Sequence, residues 1–227
     1  MAEHPIPASD DARSVSLSKV TLTKSAPTVS LSKQVTQSTG HLRVNLNWNP
    51  RPSGAAGAAG GFFKRLLATA LETPIDLDLG CLYEFADGTK GVVQALGNSF
   101  ESSNTGSPII TLDGDDRSGT NTEGENLRID LAQLPHIRRI LIFAFIYEGA
   151  PNWSDADGVV TLFPPGSAPI EVRLDEPDPH ARTCAIAMLD NTGTDLSIRR
   201  EVRYINGGQD VLDHEYGWGL QWAPGRK

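Results

Sequence analysis

Apolar and polar residues alternate along much of this chain, a pattern that is typical of half-buried β-strands. In residues 42–48, for example, every second side chain is apolar. Turn-forming pairs such as Asp87-Gly88 separate these runs at regular intervals. The predicted strands are 41–48, 75–85, 92–96, 109–112, 127–131, 138–147, 159–163, 170–174, 183–189 and 196–205, with two short β-prone runs around a turn at 25–27.

Many short strands with few helices predict an all-β chain, folded as a β-sandwich of two sheets. Residues 138–147 are almost continuously apolar, which indicates a central strand covered on both faces. The polar, proline-containing residues 1–13 are expected to be disordered, so that residues 14–227 form a single domain.

Residues 50–73 interrupt the strand pattern and are interpreted as an insertion. A flexible stretch rich in Pro, Gly and Ala leads into residues 62–72, where apolar residues have roughly helical spacing. We expect one short amphipathic helix, which either docks on the domain's own surface or contacts a partner or a membrane surface. In the second case the contact residues are Phe62, Phe63, Lys64 and Arg65.

The formal net charge of −8, with no basic block, disfavours nucleic acids and anionic lipids as partners. The N-terminus lacks the features of a signal peptide, and the longest apolar run, residues 140–147, is too short to span a bilayer. A cytoplasmic location is therefore expected. In that reducing compartment Cys81 and Cys184, both in apolar runs, are expected to be buried free thiols rather than a disulfide.

An acidic loop, residues 113–126, joins two predicted strands and holds five acidic side chains against one arginine. Two carboxylates brought to about 4 Å repel each other by up to roughly 4 kcal/mol at an effective dielectric constant of about 20. A compact loop therefore needs a cation, whereas a loop spread into solvent does not. The oxygen-rich loop, without His or Cys, suits calcium better than zinc or copper, although its spacing is not that of an EF-hand.

A second acidic pair, Asp76 and Asp78, lies in a predicted strand, where alternation places both carboxylates on one face. Leu77 and Leu79 occupy the other face. The two acids either complete a cation site that the loop begins or simply face solvent.

Two other groups of polar residues are candidate sites. Glu148, Asp155 and Asp157 lie near Trp153 in the sequence and could supply a further ligand or a partner-binding tip, but the favoured interpretation is a polar turn with a hairpin at Asp157-Gly158. The run Asp213-His214-Glu215 offers acid–base chemistry, but a surface turn before a final strand is the favoured interpretation. No nucleophile elbow, zinc-protease or P-loop motif is present, so no enzyme activity is predicted.

Several long motifs resemble the TerD-type tellurium-resistance family, and in particular its TerA-like branch. They are "VNLNW", "DLDLGCLYEFADGTKGVVQALGNSF", "LDGDDRSGTNTEGENLRIDL", "ILIFAFIYEGAPNWSDADGVV" and the ending "YGWGLQW". The likeness extends over most of the chain from about residue 15.

The resemblance implies a non-catalytic β-sandwich that binds calcium, usually two ions, in bacterial tellurite resistance and stress responses. It also implies assemblies with other tellurium-resistance proteins, some at the inner membrane face. The metal ligands it implies are Asp76, Asp78, Asp115, Asp116, Asn121, Glu123 and Glu125. Because Gly124 stands where the family has an acid, either one or two ions are expected. The alternative function is a metal-independent binding module that acts through the insertion helix.

Overall fold

The computed structural model describes residues 20–21, 28–31, 40–49, 74–103, 106–114, 124–193 and 196–225. The N-terminal segment 1–13 and the insertion 50–73, with its predicted helix and contact residues Phe62, Phe63, Lys64 and Arg65, lie outside these ranges. The domain boundaries proposed there stay predictions.

Strands dominate the described part of the chain. They are β1 (Val20–Thr21), β2 (Thr28–Leu31), β3 (His41–Asn47), β4 (Asp76–Phe85), β5 (Lys90–Gln94), β6 (Glu101–Ser102), β7 (Ile110–Leu112), β8 (Glu125–Asp130), β9 (Ile137–Glu148), β10 (Gly158–Phe163), β11 (Ile170–Leu174), β12 (Ala181–Asn191) and β13 (Leu196–Asn206). The helices of this part are short: a 3-10 helix at Leu131–His136, α1 at Trp153–Ala156 and α2 at Gln209–Tyr216.

The described strands form two sheets, which confirms the predicted all-β sandwich. The seven-stranded sheet has the order β1-β11-β10-β3-β8-β7-β6, and the six-stranded sheet has the order β2-β13-β12-β9-β4-β5. Neighbouring strands are antiparallel except for β1 and β11, which are parallel. No helix in the described ranges is long and apolar enough to cross a membrane.

The main core lies between the two sheets and is built from the alternating apolar residues. Leu42, Val44 and Leu46 of β3 are fully buried there. A second apolar cluster covers the outer face of the six-stranded sheet, where Phe143 of β9 packs with Trp218. Strand β9 is thus buried on both faces, as its continuous apolar run predicted.

Two local predictions are wrong. The described residues after β13 contain no final strand. The chain forms α2 instead, and Val211 and Leu212 of this helix pack on the outer face of the six-stranded sheet. The helix ends at Gly217, whose φ is +62°. Asp157-Gly158 is not a hairpin turn either. Asp157, at φ +51°, ends α1, and Gly158 begins β10.

Both cysteines are buried free thiols, as predicted. Burial raises the pKa of the Cys81 thiol and of the Cys184 thiol, because the charged thiolate loses its hydration inside the protein.

Candidate metal site

The three predicted ligands that the structure describes, Asp76, Asp78 and Glu125, lie at one end of the sandwich, here called the acidic end, where β4 and β8 begin and β9 ends. Asp76 of β4 is opposite Glu148 of β9, and Glu125 of β8 is opposite Leu46 near the end of β3. The Trp48 indole Nε1 donates to the Ile75 carbonyl at 2.9 Å. This bond ties the end of β3 to the start of β4, although the two strands belong to different sheets.

Asp76 and Asp78 are both buried, with 1% and 0% of their surface exposed. The interpretation that they face solvent is therefore wrong. Alternation places them on the same side of β4 as Leu82, away from the core between the sheets. Asp76 also lies opposite Glu148, so three acidic residues occupy neighbouring positions at the start of β4 and the end of β9.

Glu125 brings a third buried carboxylate to the same strand from the other sheet. It is 1% exposed, and its Oε2 accepts a hydrogen bond of 2.7 Å from the backbone N–H of Leu79. Pairing between β4 and β5 stops at Gly80, so Glu125 serves a backbone donor just beyond the end of β5. Its carboxylate thus lies beside the residue that follows Asp78.

The base of the acidic loop is closed by backbone and side-chain hydrogen bonds. The Asp113 N–H donates to the Asn126 carbonyl at 3.0 Å, and the Asn126 N–H donates to Asp113 Oδ1 at 2.9 Å. Asp113 also lies 3.6 Å from Arg128 across the strand pair. This acid therefore has a structural role in joining β7 to β8.

Gly124 lies tightly against the backbone of β3. Its φ is +63°, and a Cβ at this position would lie 2.1 Å from the carbonyl oxygen of Leu46. Any side chain at this position would clash with the backbone of Leu46, in addition to the strain of the left-handed conformation. The glycine that replaces a family acid is thus required by the path of the chain, which then turns Glu125 into the sandwich.

Of the seven predicted ligands, the structure describes three, Asp76, Asp78 and Glu125, which are all buried at the acidic end. Asp115, Asp116, Asn121 and Glu123 lie outside the described residues. Within the described ranges, no group of three His, Cys, Asp or Glu side chains is arranged to hold a metal ion. The described carboxylates can therefore form only part of a metal site, and the remaining ligands would have to come from the loop.

A buried carboxylate further along β4 shows how this protein neutralises an acid with its own cations. Glu84 is 2% exposed and contacts Arg138 at 2.5 Å, Arg139 at 2.7 Å and Lys90 at 3.8 Å. Burial alone would raise the pKa of Glu84, but the hydrogen bond and charge of Arg139, together with Lys90 and Arg138, lower it below its usual range.

The other acidic residues at this end have local roles. Asp155 accepts from the Asn152 amide Nδ2 at 3.0 Å within α1, and Asp157 lies 3.6 Å from Arg173. The position of Glu148 opposite Asp76 depends on long-range strand pairing, which the sequence pattern does not show.

Asp213 holds the C-terminal segment rather than forming a catalytic group with His214. Its carboxylate accepts three hydrogen bonds: from Gly219 N at 2.7 Å, Leu220 N at 2.9 Å and Trp222 Nε1 at 3.1 Å. The neighbouring Glu215 pairs with Arg203. The geometry of this run is therefore that of a structural anchor.

Comparison with known proteins supports the likeness seen in the motifs. The tellurium resistance protein TerA of an Alcaligenes species is 46% identical over 213 residues, which are 94% of this chain but 60% of the relative. The chain therefore spans about three fifths of that relative's length. No protein-family model matches the chain.

Solved structures agree on the fold. A homologue of the telluride resistance protein TerD from Streptomyces coelicolor has a TM-score of 0.53 at 19% identity, and the match covers 79% of this chain and 98% of that one. A protein of unknown function has a TM-score of 0.51 at 14% identity, over 74% and 91% of the two chains. At such low identity these matches show the sandwich fold alone. The identity to TerA, which extends over nearly the whole chain, shows that this protein belongs to the TerA- and TerD-like tellurium-resistance family.

Proposed function

We propose that this protein binds calcium at the acidic end and acts without catalysis in tellurite resistance and stress responses. The observation that supports the proposal is the burial of three carboxylates, those of Asp76, Asp78 and Glu125, at one end of the sandwich, on strands of two sheets. A charge removed from water is costly unless hydrogen bonds or opposite charge offset the loss. A divalent cation would offset several carboxylates at once.

Calcium fits the donor set. It takes about six to eight oxygen ligands in a tolerant geometry, and carboxylates are its preferred side-chain ligands. Asp76, Asp78 and Glu125 would hold it from the strands. The rest of the coordination would come from the loop residues Asp115, Asp116, Asn121 and Glu123, for one or two ions. The ion would supply positive charge only, stabilising the folded chain and ordering the loop.

The biological part of the proposal depends on the likeness to TerA, of which this chain spans 60%. A calcium-ordered acidic loop would present a defined surface to other tellurium-resistance proteins, in the cytoplasm or at the inner membrane face. A non-catalytic role is consistent with Asp213, whose carboxylate holds the C-terminal segment by three hydrogen bonds.

Calorimetric titration of calcium into the chelator-treated full chain tests the binding. Calcium at about 100 times its dissociation constant should stabilise the fold by about 2.7 kcal/mol. For a chain of this size that corresponds to a melting temperature about 5–10 °C higher. Magnesium, which keeps more of its own water, should give a smaller shift at equal concentration. No heat of binding together with no shift in melting temperature would refute the proposal.

Partner recruitment needs a separate test. Tagged protein should capture tellurium-resistance partners in calcium and release them in chelator. A variant in which a short Gly-Ser linker replaces residues 51–73 serves as the comparison. The hydrogen bond between Trp48 and Ile75 holds the two ends of that insertion together, so the sandwich should tolerate the change. Capture that is unaffected by chelator but lost in this variant would favour the insertion as the functional element.

A further inference from the structure

A cleft of about 560 Å³ opens on the outer side of the six-stranded sheet, where Gln94 of β5 lies opposite Gly80 of β4. Its walls are β5, the first turn of α2 and the C-terminal segment 221–225. This volume is within the range of small-molecule sites, which is about 300–1,000 Å³. The apolar part of the lining comes from Val92, Leu96, Trp222 and Pro224.

Two contacts hold the walls of the cleft in place. Trp222 donates its indole N–H to the buried Asp213 carboxylate at 3.1 Å, which sets the orientation of the ring. Gly225 packs so closely on the turn after β5 that a Cβ there would lie 2.9 Å from Leu96 Cγ. A preformed site loses less conformational freedom when a ligand binds.

Two amide side chains at the cleft have hydrogen-bonding capacity that the described residues do not satisfy. Gln94 lines the cleft and is 5% exposed, yet its buried Oε1 has no hydrogen-bond donor among the described residues. The buried Nε2 of Gln209, also in the lining, has no acceptor there. Buried polar groups are nearly always paired, so one unused acceptor and one unused donor at a single cleft point to a missing partner.

The charges around the cleft select the type of ligand. Among the described lining residues there is no Lys, Arg or His, and the one ionisable group is the carboxylate of Asp210. An anion would therefore be repelled.

We propose that this cleft binds a small uncharged molecule with an amide or lactam group on an aromatic or apolar frame. The ligand N–H would donate to Gln94 Oε1, and its carbonyl oxygen would accept from Gln209 Nε2, with a rotation of each terminal amide to face the ligand. Such terminal torsions are broad, so the rotation has little cost. The apolar frame would pack against Trp222 and Leu96.

Benzamide and benzoate form a matched pair of probes, equal in size but different in charge. Added at about 10 mM to the isotope-labelled full chain, benzamide should shift the amide resonances of cleft residues such as Leu96 and Gly97. Benzoate should bind about tenfold more weakly or worse, since it cannot donate to Gln94 and is repelled by Asp210. Equal affinity for the two probes, or no shifts with benzamide, would overturn the proposal.

Substitution separates a binding role from a structural one. Gln94→Met keeps the volume and should weaken benzamide binding about tenfold, while leaving the melting temperature of the free protein unchanged or higher. Gln221→Met alters an exposed amide at the same cleft and should leave the affinity within about twofold. If Gln94→Met binds benzamide as the wild type does, or lowers the melting temperature clearly, Gln94 is a structural residue and the proposal is wrong.

Discussion

Asp78→Asn should change the stability of this protein in opposite directions with and without calcium. Asp78 is fully buried and lies on the same face of β4 as Asp76, two residues away. Two strand residues span about 6.6 Å, at which two negative charges repel by about 2.5 kcal/mol for an effective dielectric constant of about 20. The amide keeps the shape of the side chain and removes this repulsion. In chelator, the free energy of unfolding should therefore rise by up to about 2.5 kcal/mol.

The same substitution removes a proposed calcium ligand. Wild-type protein at about 100 times the calcium dissociation constant should gain about 2.7 kcal/mol. If loss of one carboxylate raises that constant about 100-fold, the gain at the same calcium concentration falls to about 0.4 kcal/mol. The calcium-induced rise in melting temperature should then shrink from about 5–10 °C to about 1 °C.

Differential scanning calorimetry in chelator and in calcium measures both effects. Asp157→Asn is the matched control, because its side chain is 59% exposed at the same end and Asn tolerates the left-handed φ of +51°. This control should keep the wild-type response to calcium. A lower melting temperature for Asp78→Asn in chelator, with an undiminished calcium shift, would show that protein groups rather than an ion compensate Asp78, and would refute the reasoning.

Three further variants probe other parts of the fold. Glu84→Gln should lower the free energy of unfolding by about 1–3 kcal/mol at pH 7. Folding lowers the pKa of Glu84, so its contribution to stability is present above the unfolded pKa of about 4.3 and is lost as the pH falls through the folded pKa. The loss of stability that Glu84→Gln causes in urea titrations should therefore shrink by pH 3. A loss that stays constant with pH would contradict this. Asp213→Ala should cost about 2–4 kcal/mol and shift tryptophan fluorescence to the red as the C-terminal segment detaches, whereas an unchanged spectrum would show another anchor. Gly124 and Gly166 have similar φ values, +63° and +67°, but only a Cβ at Gly124 would clash with backbone atoms. In urea denaturation Gly124→Ala should therefore lower the free energy of unfolding by about 2 kcal/mol more than Gly166→Ala does. Equal losses for the two variants would show that the clash is relieved.

Part of the candidate site was predictable from local pattern. The D-x-D spacing correctly placed Asp76 and Asp78 in one strand, and Glu125, selected from the loop composition, is buried at the same end of the sandwich. The burial of Asp76 and Asp78 was not predictable, because the sequence of a strand does not show whether the outer face of its sheet is covered by other residues or exposed to solvent. The helix α2 was also missed, since its few apolar residues fit a short strand as well as a helix.

The sequence by itself determined the strands, because alternation of side chains records which face of a strand is buried wherever the chain eventually pairs. It therefore specified β11 to the residue and showed that β9 is covered on both faces. Only the tertiary structure decided which acids meet. The hydrogen bond from Leu79 to Glu125 joins residues 46 positions apart in different sheets, and the pairing of Asp76 with Glu148 depends on strand order and on a register shift. Such contacts follow from how whole sheets pack against each other, and local periodicity carries no information about that packing.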